Sequence, residues 1–292
     1  MRNKEERLGI NPALQDSSPP EGFFEKMQEY KNNQEHNQQL SFIVPTEVID
    51  LPSKGFFYPE DHPLHLQDSL EIKQMTAKEE DILTSKSLLK KGIALDRLIQ
   101  SVLVNKNIDP DTLTLSDRNS IIVSSRISGY GPEYLTQITC PACSERVKHK
   151  FNLLEKIENY KDKSLKADID NNGLFQFELP VTKWKVVCKA LTGADEKTIS
   201  RSSEIKKKNN SQNDSLLFDQ LKCMTVSIQG VYDKAIIEKA LLTMPARDSK
   251  YIRTVYQHTV EDVNLTRSFT CPKCDYEVDL EVPLSADFFW FE

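Results

Sequence analysis

The sequence predicts an α+β chain: helical bundle units, a zinc-ribbon-like pair of β-hairpins and a small antiparallel β element. Three observations predict it. Two C-P-x-C knuckles, Cys140-Pro141-Ala142-Cys143 and Cys271-Pro272-Lys273-Cys274, each sit in an alternating, β-like segment. Helix-period apolar stripes with start and stop signals occupy residues 76–127 and much of 193–258. Asn171-Asn172-Gly173 lies between two alternating runs, a hairpin signal.

In chain order, residues 1–40 are polar, rich in Gln, Asn, Glu and Lys, and are expected to be a disordered or partner-docking tail. Phe23, Phe24, Met27 and Tyr30 share one helical face there, either folding back on the chain or docking on a partner. Residues 41–133 are expected to form an extended segment followed by a three-helix unit. Two extended pieces flank a turn at Pro52 and Gly55, and Leu70-Glu71-Ile72-Lys73 reads as a short strand. Thr76 and Glu79 form a capping box that opens the first helix. Its stripe is Ile82, Leu83, Leu88 and Leu89, and Gly92 ends it. The second helix, about 93–105, turns Leu95, Leu98, Ile99, Val102 and Leu103 inward. The third, about 115–127, starts at Thr114 or Ser116 and buries Ile121, Ile122 and Ile127.

Residues 134–163 and 259–292 are expected to form one zinc-ribbon-like module, with a short helix at 152–162. Between them, residues 164–258 read as an inserted β-hairpin and helical domain. Its strands are expected at 165–170, 174–179 and 185–190, and its later helices near 215–228, 233–244 and 246–257. The KKKNNSQND run at 206–214 reads as a solvated loop.

Several functions are excluded early. The chain has 292 residues but only 9 glycines, and no phosphate-cradling glycine loop can be written from them. No G-x-S-x-G elbow and no H-E-x-x-H occurs. Net charge is −6, which disfavours broad nucleic-acid binding. No apolar run approaches the ~20 residues of a membrane span. No secretory leader is seen at the N-terminus, so the six cysteines are expected to be thiols or metal ligands more often than disulfides.

Cysteines carry the remaining chemistry. Two knuckles facing each other would complete a closed, tetrahedral four-cysteine zinc site from Cys140, Cys143, Cys271 and Cys274, with one structural Zn2+. Two separate redox or metal sites, or unmetallated thiols, are the alternatives. The segments around the knuckles also agree with each other: Val147 matches Val278, Phe151 matches Val282, Leu153 matches Leu284, and Thr139 and Thr270 precede the pairs. Although 127 residues separate Cys143 from Cys271, loop-closure entropy grows only by about 0.6 kcal/mol per doubling. Four cysteine ligands leave no open coordination position, so no catalytic residue is assigned. His149 is expected to be a strand histidine, Cys188 and Cys223 core residues, and His62 and His65 plain loop residues. The terminal Phe288, Phe289, Trp290 and Phe291 either cover their own core or anchor a partner.

The ordered motifs carry a resemblance. LPSKGFFYP at 51–59 is followed by KEEDIL at 78–83, IDPDTL at 108–113 and RISGYGPEY at 126–134, which runs into the first knuckle. LTGADE at 191–196, MPARD at 244–248, the second knuckle and the terminal FFW follow. Together they resemble the baseplate hub subunit or hub-assembly proteins of contractile-tailed, T-even-like bacteriophages over residues 48–292. The resemblance implies a non-enzymatic structural or chaperone-like assembly role among other baseplate and tail hub proteins. It places the chain in the virion tail baseplate or in the host cytoplasm during assembly, with no small-molecule substrate. The reading from another class is a zinc-ribbon nucleic-acid-binding regulator, against which the net charge counts.

Overall fold

The computed structural model describes residues 44–155, 163–208, 216–282 and 286–289. Phe23, Phe24, Met27, Tyr30, Trp290, Phe291, Leu284 and most of the helix expected at 152–162 lie outside the described residues. Among the described residues the architecture is α+β, with eight α-helices and four small antiparallel sheets.

Strand β1 (Thr46–Asp50) pairs antiparallel with β2 (Ser69–Lys73). The connection between them is not extended, as its second half was expected to be. It is a chain of tight turns in which Lys54 N–H donates to Leu51 O, Phe56 N–H to Ser53 O and Leu66 N–H to Gly55 O. Gly55 has φ +72°, and a Cβ there would stand 2.4 Å from the carbonyl oxygen of Leu64. A buried carboxylate holds this loop in place. Asp117 accepts from Ser53 N–H (3.1 Å), Ser53 Oγ (2.6 Å) and Tyr58 OH (2.6 Å). Tyr58 OH in turn accepts from Thr114 N–H at 3.1 Å.

The capping box at Thr76 and Glu79 opens α1 (Ala77–Thr84). The helix expected to reach Gly92 breaks at Ser85 (ψ 106°) and resumes as α2 (Lys86–Lys90). Thr84 Oγ1 bonds back to Glu80 O and Ser85 Oγ meets Ser87 Oγ, so local hydroxyl bonds compete with the helix here. Next come α3 (Ala94–Val102) and α4 (Leu115–Tyr130). The latter is N-capped by Thr114 and ended by Gly131 at φ +81°. Strands β3 (Glu133–Thr139) and β4 (Arg146–Asn152) form one hairpin, and β8 (Thr266–Thr270) and β9 (Glu277–Glu281) form another.

These elements share one apolar core, which runs from Ile49 to Leu153 and resumes at Leu265, Phe269, Val282, Phe288 and Phe289. A second core lies between those two stretches, from Phe175 to Val260. It is built on a three-stranded sheet of β5 (Leu174–Glu178), β6 (Lys185–Lys189) and β7 (Thr225–Ile228), in the order β5-β6-β7. Helices α6 (Leu216–Met224), α7 (Lys234–Thr243) and α8 (Ala246–Thr259) cover it, and α5 (Gly193–Lys208) packs against α6.

Two expectations fail in this region. The run at 165–170 contributes only a single bridge, Ile169 to Phe175: its start, Lys163–Leu165, is a 3-10 helix, and Ala167 N–H donates to Thr259 Oγ1 of α8 instead of to a strand. The turn itself forms: Asp170 Oδ1 accepts from Asn172 and Leu174 N–H, and Gly173 has φ +75°. The helix expected over 215–228 stops at Met224. Thr225 and Val226 are β-branched, and the following run adds a strand to the free edge of β6, with Val186 opposite Ile228.

The two cores are joined by backbone hydrogen bonds, and buried charge braces each of them from within. Leu115 N–H donates to Leu191 O and Gly193 N–H to Leu113 O. Arg118, buried, donates to Asp96 at 2.5 Å and to Pro110 O at 3.0 Å. Asp248 in the first turn of α8 accepts from Val181 N–H, Thr182 N–H and Thr182 Oγ1 at 2.8–2.9 Å.

Candidate metal centre

Each knuckle is a turn of the same construction. Cys140 N–H donates to Glu145 O at 2.9 Å and Ser144 N–H to Cys140 O at 2.9 Å. At the second knuckle Cys271 N–H donates to Tyr276 O at 2.9 Å and Asp275 N–H to Cys271 O at 3.0 Å. The turns need a left-handed residue, supplied by Ser144 (φ 58°) and Asp275 (φ 54°). The hairpins keep the same register: Thr139 lies opposite Arg146, and Thr270 opposite Glu277. The near-repeat seen in the sequence is thus a repeat of structure.

The turns bring four sulfurs together. All four Sγ atoms lie within 4.8 Å of one another, with Cys140 to Cys274 at 3.7 Å and Cys143 to Cys271 at 3.8 Å. A regular tetrahedron with Zn–S bonds of about 2.3 Å has S···S edges of about 3.8 Å. A disulfide would need about 2.05 Å. The cluster therefore has the donor set and spacing of a zinc site, and both knuckles contribute one buried and one exposed residue.

Electrostatics point the same way. The backbone N–H of Cys143, working against burial and helped by that of Ala142, brings the Cys140 thiol down to about 7. At Cys274 the N–H of Tyr276 favours the thiolate, but burial and the three neighbouring sulfurs outweigh it and push the thiol up to about 12. Cys143 is also raised. Four thiolates at this spacing repel one another, so full deprotonation requires a cation at their centre.

Two buried arginines anchor the hairpins, and neither stands out in the sequence. Arg267, on β8, donates to Asn152 O (2.9 Å) and Leu153 O (2.6 Å) at the end of β4. It also donates to Asn264 O and Thr266 O on its own chain segment. Arg126, on α4, donates to Gly131 O (2.8 Å), Glu133 O (3.0 Å) and Phe288 O (3.0 Å). Burial lowers the pKa of both guanidinium groups, but an arginine starts so high that both stay charged. A lone Arg in a strand or helix carries no sequence mark of such a role.

The other candidates are elsewhere. His149 packs edge-on against Phe151 and Phe269 instead of joining the sulfurs, and burial pushes its imidazole below the usual value. Cys188 is buried in the second core with its thiol pushed up to about 12 by burial, and Cys223 sits half-buried on α6. His62 meets Thr112 and His65 meets Tyr58 O, so the H-x-x-H pair is spent on the loop. Of the four terminal aromatics weighed as a partner anchor, Phe288 and Phe289 instead fill this chain's own core, each 0 % exposed. Phe288 lies 5.1 Å from Tyr134, and Phe289 lies 6.4 Å from Tyr130, ring centre to ring centre.

A family model described as T4 bacteriophage base plate protein matches residues 47–289. The chain belongs to that family. The match takes in both cores, both knuckles and the terminal aromatic turn. Family membership makes it a protein of the phage tail baseplate, associated with other baseplate proteins. No curated protein and no solved structure gives a significant match. Among the described residues no helix is long and apolar enough to cross a membrane.

Proposed function

We propose that this protein is a non-enzymatic structural or chaperone-like assembly component of the baseplate hub, stapled by one structural zinc. The observation that carries the reading is the four-sulfur cluster formed by two knuckles far apart in sequence, in a chain of the baseplate family. Cys140, Cys143, Cys271 and Cys274 would hold the metal, which supplies cross-linking and charge neutralisation. Four sulfurs leave it no position for water or substrate, which suits a staple better than a catalyst.

What the staple would secure is the first core. That core is assembled from chain segments on both sides of the second one, and the return segment is short. Arg267 and Arg126 tie the same segments through backbone carbonyls, so the metal adds to an existing attachment.

Quantitative mass spectrometry of purified baseplates and of hub assembly intermediates tests the role. A fixed stoichiometry in mature baseplates means a structural component. Presence in intermediates alone means an assembly factor. Absence from both overturns the proposal.

A further inference from the structure

The two hairpins repeat each other's backbone but reverse each other's charge. A shift of 131 residues carries Cys140 onto Cys271 and Thr139 onto Thr270. The same shift carries Arg146 onto Glu277, Lys148 onto Asp279 and Lys150 onto Glu281. All six side chains are exposed.

Strand alternation places each set on a single face. On β4 the alternate residues Val147, His149 and Phe151 turn inward, and His149 meets Phe269 of the other hairpin at 5.1 Å. The inner faces thus meet, and the charged faces point away from each other. The first outer face carries Arg146, Lys148 and Lys150 against one acid, Glu133, which Lys150 reaches at 2.8 Å. On the second, Glu277, Asp279 and Glu281 stand beside Thr266, Ser268 and Thr270, with no base among the described residues of that face. Asp279 accepts from Ser268 Oγ at 2.9 Å, which leaves its charge uncompensated.

The geometry points to a second copy of this chain as the occupant of these faces. The basic face of one copy docks on the acidic face of the next, head to tail. Because the backbones match, the three charges on each face share one spacing, so Arg or Lys can stand opposite Asp or Glu along the strands. Such a contact is heterologous: it uses two different surfaces, so it propagates into a ring or a file of copies.

Its size sets its strength. Each face is about 10 Å wide and about 17–24 Å long, roughly 200 Å2 per side. Stable pairs bury about 800 Å2 per partner. The contact is therefore weak in solution and gains from copies held side by side on a platform. Exposed charges that carry it make it salt-sensitive, since screening is short-ranged at high ionic strength. The contact does not depend on which metal, if any, the sulfurs hold.

The test uses the full chain at several hundred micromolar. Sedimentation should show mass rising with concentration at about 50 mM salt and falling back to monomer at about 500 mM. A zero-length carbodiimide reagent, applied to a mixture of 14N and 15N protein, should join Lys148 or Lys150 of one isotope to Glu277, Asp279 or Glu281 of the other. A basic-face reversal (Arg146→Glu, Lys148→Glu, Lys150→Glu) and an acidic-face reversal (Glu277→Lys, Asp279→Lys, Glu281→Lys) should each weaken self-association by about tenfold or more. Mixing the two reversed proteins should restore it. Melting curves matching the parent protein qualify the variants, and the cross-link on the parent chain stands without them. A monomer at every salt and concentration with no inter-copy cross-link overturns the inference. So does association that survives reversal, or a basic face that retains nucleic acid and no second copy.

Discussion

Replacing Cys271 by serine removes one buried sulfur from the cluster and, on the proposed reading, opens the staple between the knuckles. The stability it should remove follows from the loop that a metal held by both knuckles would close. Between Cys143 and Cys271 lie 127 residues, and cross-linking a loop of that length restricts the unfolded chain by about 5 kcal/mol in the chain-entropy model. Part of that loop has its own core, from Phe175 to Val260. If that core stays folded, the segment effectively closed is shorter and the effect is nearer 3 kcal/mol. At about 2–4 °C per kcal/mol for a domain of this size, Cys271→Ser should lower the melting temperature by about 10 °C. Elemental analysis should show zinc falling from about one per chain to near none. Cys223→Ser is the control, because Cys223 lies half-buried on α6, away from the cluster; it should keep its zinc and change stability by about 1 kcal/mol or less. A Cys271→Ser protein that retains one zinc, or a parent protein that melts identically with and without a strong chelator, would refute the reasoning.

Arg267→Met keeps the side chain's bulk but leaves the carbonyls of Asn152, Leu153, Asn264 and Thr266 without their buried donor, at a cost of about 3 kcal/mol in urea unfolding; a loss under about 1 kcal/mol would mean that water replaces it freely. Two glycines with left-handed backbone should respond differently to alanine. Gly173→Ala drives a Cβ to within 2.4 Å of Phe57 O and should cost about 3 kcal/mol, whereas Gly92→Ala meets nothing within 4 Å and should cost about 1 kcal/mol. Equal losses would show that the Phe57 loop yields. Burial opposes ionisation of Asp248, but the N–H and hydroxyl of Thr182 and the N–H of Val181 outweigh it and hold its pKa below the ordinary carboxylate value. A depressed folded pKa gives stability that is present above the unfolded pKa of about 3.9 and is lost as pH falls through the folded value. Asp248→Asn should therefore be less stable at neutral pH and show a flatter acid limb below about pH 4, and an unchanged limb would assign acid unfolding to other groups.

The clustering of Cys140, Cys143, Cys271 and Cys274 was legible because C-P-x-C is a local pattern whose turn does not depend on the rest of the fold. Its repetition at 131 residues also foretold that the hairpins would pack together, since matched segments present matched apolar faces. Helix starts at Thr76 and Thr114 were readable for the same reason: a cap is a contact between residues three apart. Edges were harder to read. Whether Thr225 continues a helix or begins a strand is decided by the open side of β6, about forty residues earlier. Buried charge was hardest, because Asp117, Arg126, Asp248 and Arg267 look like surface residues until their distant carbonyl, amide and hydroxyl partners are known. The terminal aromatics show the same limit: Phe288 and Phe289 were clearly destined for burial, but only the fold shows that the surface they meet is their own.

X-ray absorption at the zinc edge of the purified full-length protein tests the central claim most directly. One zinc per chain surrounded by four sulfurs at about 2.3 Å is the predicted result. A first shell containing nitrogen or oxygen, or a protein that carries no zinc after expression in zinc-replete medium, would contradict it.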